Sequence, residues 1–199
     1  MLINLKSIVL RCTKEKVENT LEFISDSSYN QLIKLAVDKT TIDFSKQIDL
    51  PELKCLHISN VDLSQQISNQ CFNCMSNLIE LNLDNTKLKN VEFLDTDRLE
   101  NLKMLNLSHN QITVLRNGTF SKLKKLTRLD LSNNQIEELV QGVFEGLECL
   151  EYLFINSNSF NVESIDKTVF DELNCLKYLY ILMENDNVDH LKRDGLNIY

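Results

Sequence analysis

Cysteine is the residue type in this chain with the widest capacity for chemistry. The six cysteines permit three disulfides, but the sequence does not fix their pairing. Cys149 and Cys175 each come directly before the leucine that opens a short repeated motif, so they occupy equivalent sites. We expect them either to pair in an oxidising compartment or to pack as small reduced side chains. Cys71 and Cys74 have C-x-x-C spacing without a βαβ pattern or a second cysteine pair, which favours a local disulfide or plain packing.

Catalytic and metal-binding chemistry is not predicted. The three histidines, His57, His109 and His190, are scattered, and nothing sets them beside a nucleophile or a carboxylate. The chain has no glycine-rich phosphate-binding loop and no G-x-S-x-G turn. The sequence therefore predicts a protein that is not an enzyme and that uses no cofactor or metal ion.

Two N-glycosylation sequons could carry covalent modification. They are Asn106-Leu-Ser108 and Asn117-Gly-Thr119. Sequons also arise by chance in a chain rich in asparagine, so they are weak evidence of secretion. Asn117, in an expected turn, is the better acceptor, whereas a glycan on Asn106 would block part of the candidate binding surface.

Alternating aromatic residues mark that candidate surface. The residues are Tyr152, Phe154, Tyr178 and Tyr180, with Arg128 and Asp130 at the equivalent positions one repeat earlier. Alternate side chains of a strand point to the same face, so the four aromatics should form a two-by-two block that faces outward. An outward aromatic cluster beside charged residues is typical of a protein-binding hot spot. Alternatively, these aromatics cover the C-terminal edge of the fold, or they pack under the 182–199 tail or under a missing repeat.

A repeated segment positions all of these residues. The motif L-x-x-L-x-L begins at Leu78, Leu102, Leu126, Leu150 and Leu176, with weaker copies at Leu5, Leu32 and Leu53. The strong copies are 24 residues apart three times and 26 residues apart once. A fixed period of this length indicates a solenoid in which each repeat packs on its neighbours. The predicted fold class is an α/β solenoid: a right-handed horseshoe with a concave parallel β-sheet and a mostly irregular or short-helical convex side.

Asparagine recurs at the ninth position of three repeats, at Asn110, Asn134 and Asn158. The chain must bend sharply there, and a carboxamide can donate to and accept from backbone groups that the sheet leaves unpaired. We therefore expect the three side chains to be buried and hydrogen-bonded to the turn backbone.

Phenylalanine recurs late in the repeat, and this predicts a buried aromatic spine on the convex side. The residues are Phe72, Phe120, Phe144 and Phe170. In the repeat that begins at Leu78, Phe93 comes about three residues too early for this register. We expect an irregular turn in that repeat.

The complete pattern, L-x-x-L-x-L-x-x-N-x-L with a late F-x-x-L, resembles the typical subclass of leucine-rich repeat proteins. The stretches LNLSHNQI (105–112) and LDLSNNQIEEL (129–139) are similar to Toll-like receptor ectodomains and other extracellular animal members of the family. The resemblance covers residues 53–181 well, 5–52 weakly and 182–199 not at all. It implies an extracellular or cell-surface glycoprotein that acts in innate immune recognition or cell adhesion. Extracellular members carry cysteine-rich caps, and their lack here fits a fragment or a divergent short member.

The chain, residues 1–199, is predicted to form one domain. Residues 1–52 are degenerate N-terminal repeats with a helix expected near 14–24, and residues 53–181 are regular repeats. Residues 182–199 are either a C-terminal cap or a truncated end.

The composition narrows the classes of partner. The formal net charge of −8 argues against nucleic acid, which is bound through Lys and Arg. No apolar run approaches the roughly 20 residues that cross a membrane, and residues 1–10 lack a signal cleavage site, so neither membrane insertion nor a signal peptide is predicted. The leading hypothesis is an extracellular module that binds a protein or glycoconjugate on its concave face. The alternatives are a cytoplasmic adaptor with reduced cysteines and a structural fragment that forms homodimers.

Overall fold

Parallel strands follow one another along the chain in the computed structural model, which describes residues 7–11, 32–39, 50–94, 97–181 and 188–199. Within these described residues, nine strands form one open sheet in chain order. They are β1 (Ser7–Arg11), β2 (Lys34–Asp38), β3 (Cys55–Ser59), β4 (Glu80–Asn82), β5 (Met104–Asn106), β6 (Arg128–Asp130), β7 (Tyr152–Phe154), β8 (Tyr178–Tyr180) and β9 (Asn197–Ile198). Because neighbours in the sheet are also neighbours in sequence, the molecule is the predicted solenoid horseshoe.

Equivalent positions of successive repeats lie side by side in the sheet. Leu81 pairs with Leu105, and Leu105 pairs with Leu129. The weak N-terminal copies keep the same register, because Ile8 pairs with Leu35. The central leucines of β2 to β8 are at most 1% exposed, so the repeat motif builds a continuous apolar core.

The convex side is made of turns and short helices, as predicted. All helices in the described residues are single turns of 3₁₀ helix. They span Asn69–Phe72, Glu92–Leu94, Asp97–Leu99, Val162–Ser164, Lys167–Phe170 and Asp189–Leu191. The helix expected near 14–24 lies outside the described residues.

Phenylalanine rings stack behind the sheet. The centroid of Phe144 lies 6.3 Å from that of Phe120 and 5.9 Å from that of Phe170, with the planes within 17° of parallel. All three side chains are buried. The predicted spine is therefore confirmed over these repeats.

The repeat that begins at Leu78 is irregular, as its early phenylalanine predicts. Its convex segment forms two 3₁₀ turns, and Phe93 packs on Phe72 with ring centroids 5.8 Å apart. A groove of about 780 Å³ lies between segments 89–92 and 113–119 of this repeat and the next. The apolar side chain of Val114 in this groove is 55% exposed.

A sharp turn follows each strand from β3 to β7. The eighth residue of each repeat has a positive φ of 52–57°, and these residues are Asn60, Asn85, His109, Asn133 and Ser157. Asparagine tolerates this left-handed conformation better than most residues do. The turn aims its backbone N–H at the next coil, so that Asn85 N donates to Ser108 O at 3.0 Å.

The ninth residue of the repeat links adjacent turns. Asn110 Nδ2 donates to the carbonyl oxygens of Leu83 and Leu107 at 2.8 and 3.0 Å, and its Oδ1 accepts from Leu88 N at 3.0 Å. Asn134 makes the equivalent bonds one coil later and is likewise buried. Asn158 keeps the pattern but is half-buried, contrary to the expectation of full burial.

Residues 188–199 pack on the last regular repeat. Leu191 is buried, and Ile181 N donates to Tyr199 O at 2.9 Å beside β9. Arg193 binds the convex backbone, with one Nη atom 3.1 Å from Phe170 O and the other 2.6 Å from Leu173 O. This segment therefore covers the apolar side of the repeat that carries β8.

Candidate functional site

The predicted aromatic residues come together on the concave face. The rings of Tyr152 and Tyr178 stack at 4.7 Å with planes 11° apart, and those of Phe154 and Tyr180 stack at 4.3 Å with planes 6° apart. The cause is the parallel register, which pairs Tyr152 with Tyr178 and Phe154 with Tyr180 at the spacing of neighbouring strands. All four side chains are half-buried.

Tyr199 adds a fifth ring that sequence reasoning missed. Its ring lies 4.9 Å from that of Tyr180, with planes 18° apart, and 6.5 Å from that of Tyr178. The residue is 51% exposed. The sequence contained a signal for it. Apolar Leu196 and Ile198 alternate with Asn197, as in a half-buried strand, and this alternation places Tyr199 on the same face as Asn197. The five rings of Tyr152, Phe154, Tyr178, Tyr180 and Tyr199 are called the aromatic cluster below.

Arg128 closes one end of the aromatic cluster. Its guanidinium carbon lies 4.3 Å from the ring centroid of Phe154 and 5.9 Å from that of Tyr152. Asp130, its neighbour on β6, is bound to the turn instead, because one of its carboxylate oxygens accepts from the backbone N–H and hydroxyl of Ser132 at 3.0 and 2.6 Å. Arg128 is thus part of the aromatic surface, whereas Asp130 lies beside it.

The concave face next to the cluster is polar. A shallow cavity of about 110 Å³ is lined by residues of β4, β5 and β6, namely Glu80, Asn82, Met104, Asn106, Arg128 and Asp130. Met104 is 39% exposed in the middle of this strip. The face therefore changes from carboxylate and carboxamide groups to aromatic rings along its length.

A histidine and a carboxylate meet further along the polar strip. His57 Nε2 lies 2.8 Å from Glu80 Oε1, which is an ion-pair distance, although the angle does not suit a hydrogen bond. Burial, followed by the charge of Glu80, raises the pKa of the adjacent Cys55 thiol. A protonated thiol is a poor nucleophile, so Cys55 is not activated here.

The cysteines differ in how they fit the expectations. Cys71 is a free, buried thiol in the 3₁₀ turn Asn69–Phe72, with its Sγ 3.7 Å from Gln66 O, which agrees with plain packing and not with a local disulfide. Cys149 and Cys175 are free thiols that are exposed, so they do not pack as small apolar side chains. Because they occupy equivalent positions on adjacent coils, a disulfide between them stays a prediction, and it is argued below.

The two sequons lie in different environments. Asn117 is exposed at a turn on the edge of the groove, and Thr119 Oγ1 of the same sequon donates to Arg116 O at 2.7 Å. Asn106 is half-buried on β5, and its Oδ1 accepts from the backbone N–H and hydroxyl of Ser108. Asn117 is thus the more accessible of the two amides.

In the part of the chain that the structure describes, no group of three or more His, Cys, Asp and Glu side chains could hold a metal ion. Among the same residues, no helix has the length and apolar character needed to cross a membrane.

Known families and structures agree with this architecture. The family model for the leucine rich repeat matches residues 100–160 and 132–186. In the crystal structure of the TLR13–ssRNA13 complex, the matched chain is 27% identical in sequence to this protein, with a TM-score of 0.72. The fold is a leucine-rich repeat solenoid, and the chain resembles Toll-like receptor ectodomains. No curated protein matches its sequence.

The second similar structure is that of the Toll–Spatzle complex from Drosophila, at 22% identity and a TM-score of 0.65. The two alignments cover 86% and 83% of this leucine-rich repeat chain. They cover 26% of the TLR13 chain and 21% of the Toll chain, so the protein spans about a quarter of their length or less. The expectation of no nucleic-acid partner gains no support here, because the first structure is of a complex with single-stranded RNA.

Proposed function

We propose that this leucine-rich repeat chain is a non-catalytic recognition module whose concave face binds a protein or a glycoconjugate. The observation that supports the proposal is the aromatic cluster, whose five stacked rings remain half-buried or exposed beside Arg128. Large aromatic side chains and arginine dominate the binding energy of protein interfaces. The cluster and Arg128 are the proposed main contact surface, with Asp130 at its margin.

The cluster suits recognition because its geometry is fixed before a partner arrives. Stacking between adjacent strands restricts each ring, so binding would immobilise few side chains. The tyrosines combine an apolar ring with a hydroxyl group that can donate or accept a hydrogen bond. A partner with an apolar segment and flanking polar groups would match this surface.

The proposed setting is extracellular, in innate immune recognition or cell adhesion. Support comes from the resemblance to receptor ectodomains and from the exposed sequon residue Asn117, which we propose as the glycosylated site. Toll is seen with a protein partner and TLR13 with RNA. For this chain we favour protein or glycoconjugate over RNA, because Asp130 borders the cluster, Glu80 lies farther along the same face and the net charge is −8.

A second candidate is a cytoplasmic adaptor that uses the same concave face. The observation that favours it is the set of free thiols at Cys55, Cys71, Cys149 and Cys175. Labelling of thiols in the protein isolated from its natural source, after unfolding without reductant so that the buried Cys71 also reacts, separates the two settings. Six reactive thiols would favour the adaptor, and fewer would favour the extracellular module.

A phage-displayed random peptide library tests the contact surface. The library is selected against the wild-type chain, and the enriched peptides are then measured on Tyr152→Ala/Tyr180→Ala, a variant that removes one ring from each stacked pair. We expect enriched peptides whose affinity falls at least about tenfold in this variant, since hot-spot residues contribute roughly 2 kcal/mol or more. Affinity is measured by surface plasmon resonance at a temperature where both proteins are folded.

The matched control is Val114→Ala, which removes an exposed apolar side chain from the groove on the other side of the solenoid. Its affinity for the same peptides should equal that of the wild type. Unchanged affinity in the tyrosine variant, together with lower thermal stability, would show that the rings only cover the edge of the fold. Tight binding of a single-stranded RNA oligonucleotide that the tyrosine variant loses would overturn the preference for protein or glycoconjugate.

A further inference from the structure

The residue directly before the first leucine of each repeat lies where the convex segment returns to the sheet. At this position Lys125 Nζ donates to Asn101 Oδ1, its equivalent on the preceding coil, at 2.7 Å. Asn77, one repeat before Asn101, also reaches its preceding coil, with Nδ2 2.9 Å from Pro51 O. Side chains at this position therefore extend along the solenoid axis and contact the neighbouring coil.

Cys149 and Cys175 occupy the next two places in this row. The backbone around them is equivalent, because Leu150 N donates to Leu147 O at 3.0 Å and Leu176 N donates to Leu173 O at 3.2 Å. The two coils are joined directly after the cysteines, where Glu151 O accepts from both Lys177 N and Tyr178 N at 3.0 Å. The repeat that begins at Leu150 has two more residues than the repeats before it. These two extra residues are therefore accommodated before Cys175, and Cys175 lies at the position equivalent to Cys149.

Both thiols are free and exposed, and an oxidant can therefore reach them. Strands of one sheet lie about 4.8 Å apart, which falls within the Cα separation of roughly 4.4–6.8 Å that disulfides adopt. We propose that Cys149 and Cys175 form a disulfide that joins the coil of β7 to the coil of β8. These coils carry the two stacked ring pairs of the aromatic cluster, so the bond would hold that surface together.

The bond forms by thiol–disulfide exchange with a low-molecular-weight disulfide such as glutathione disulfide. The thiolate of Cys149 attacks one sulfur of that molecule, forms a mixed disulfide and releases one glutathione thiolate. The thiolate of Cys175 then attacks the Cys149 sulfur and releases the second. Two protons leave the cysteines, and two electrons pass to glutathione, which ends as two thiols.

The test equilibrates the purified chain with glutathione disulfide, blocks remaining thiols with N-ethylmaleimide and maps tryptic peptides by mass spectrometry. Trypsin separates Cys149 and Cys175, because cleavage after Lys167 places them in peptides 129–167 and 168–177. We expect these peptides to be linked and the melting temperature to rise by roughly 5–10 °C over the reduced protein. Both effects should vanish in Cys149→Ser and in Cys175→Ser.

Two variants serve as controls. Cys55→Ser removes a cysteine from the concave face and should keep both the crosslink and the shift. Lys125→Cys combined with Cys175→Ser moves the pair one coil toward the N-terminus and should oxidise in the same way. Two thiols at Cys149 and Cys175 that stay open to alkylation, or a bond that joins two chains on a non-reducing gel, would overturn the inference. The test needs no ligand, so its result is separate from that of the proposed function.

Discussion

The protein carries two stacks of aromatic rings, one on each side of its sheet. On the convex side, Phe120, Phe144 and Phe170 stack at about 6 Å and are buried. On the concave side, Phe154, Tyr180 and Tyr199 stack at 4.3 and 4.9 Å and remain half-buried or exposed. The same parallel register produces both stacks, so stacking alone does not distinguish a structural residue from a binding residue. The degree to which the rings are buried distinguishes the two.

The two stacks differ in what their exposure implies. Burying an aromatic ring contributes roughly 2–3 kcal/mol, which is sufficient reason for a phenylalanine in the convex spine. The concave rings gain only part of this energy, because each keeps one edge in water. Five such rings in one patch leave apolar surface that a partner could still bury. The comparison therefore separates a spine that stabilises the fold from a surface available for recognition.

The largest expected effect is on the convex stack. Phe144→Ala removes a fully buried ring between two others and leaves a cavity, which should lower the free energy of unfolding by about 3–5 kcal/mol. Urea unfolding followed by circular dichroism measures the change. A loss below about 1 kcal/mol would contradict a stabilising role for the spine. Affinity for the selected peptides should not change while the variant is folded.

A smaller effect is expected in the turns between the two stacks. Asn134→Ala leaves Ile112 N without its acceptor in a buried turn, and it removes one of the two amide donors from the carbonyl oxygens of Leu107 and Leu131. We expect a loss of about 2–3 kcal/mol in the same urea experiment, because unsatisfied buried polar groups are costly. Asn158→Ala is the matched variant, and its half-buried turn should lose less, since water can reach the freed groups. A greater loss at Asn158 than at Asn134 would contradict the role of burial.

Much of this comparison was predictable, because the repeat fixes the register. Once Leu153 and Leu179 are placed inward, Tyr152, Phe154, Tyr178 and Tyr180 must face outward in line. The period also predicted the spine, and the early Phe93 predicted the irregular repeat. Periodicity therefore predicts which face a side chain takes and which residue it stacks on.

Other features could not be read from the period. Tyr199 belongs to the aromatic cluster through a tail that leaves the repeat motif, so the repeat period did not predict its place. Arg128 was expected beside the cluster, but its position over the ring of Phe154 depends on side-chain rotamers. The half-burial of Asn158 was not predictable either, because Asn110, Asn134 and Asn158 occupy the same position of the repeat motif. Local sequence pattern sets direction, whereas these contacts depend on the shape of the neighbouring coil.

The smallest expected effect is at the end of the concave stack. Arg128→Lys keeps the positive charge but removes the planar guanidinium that covers the Phe154 ring. We expect a loss of about 0.5–1 kcal/mol in urea unfolding, the usual range for an exposed cation–π contact. Arg116→Lys is the control, because Arg116 is exposed and pairs with Glu92 at 3.1 Å without a ring contact, so its stability should not change. Equal losses in both variants would contradict a specific contact. A loss confined to Arg128→Lys would show that the concave stack begins at the guanidinium of Arg128 and not at the ring of Phe154.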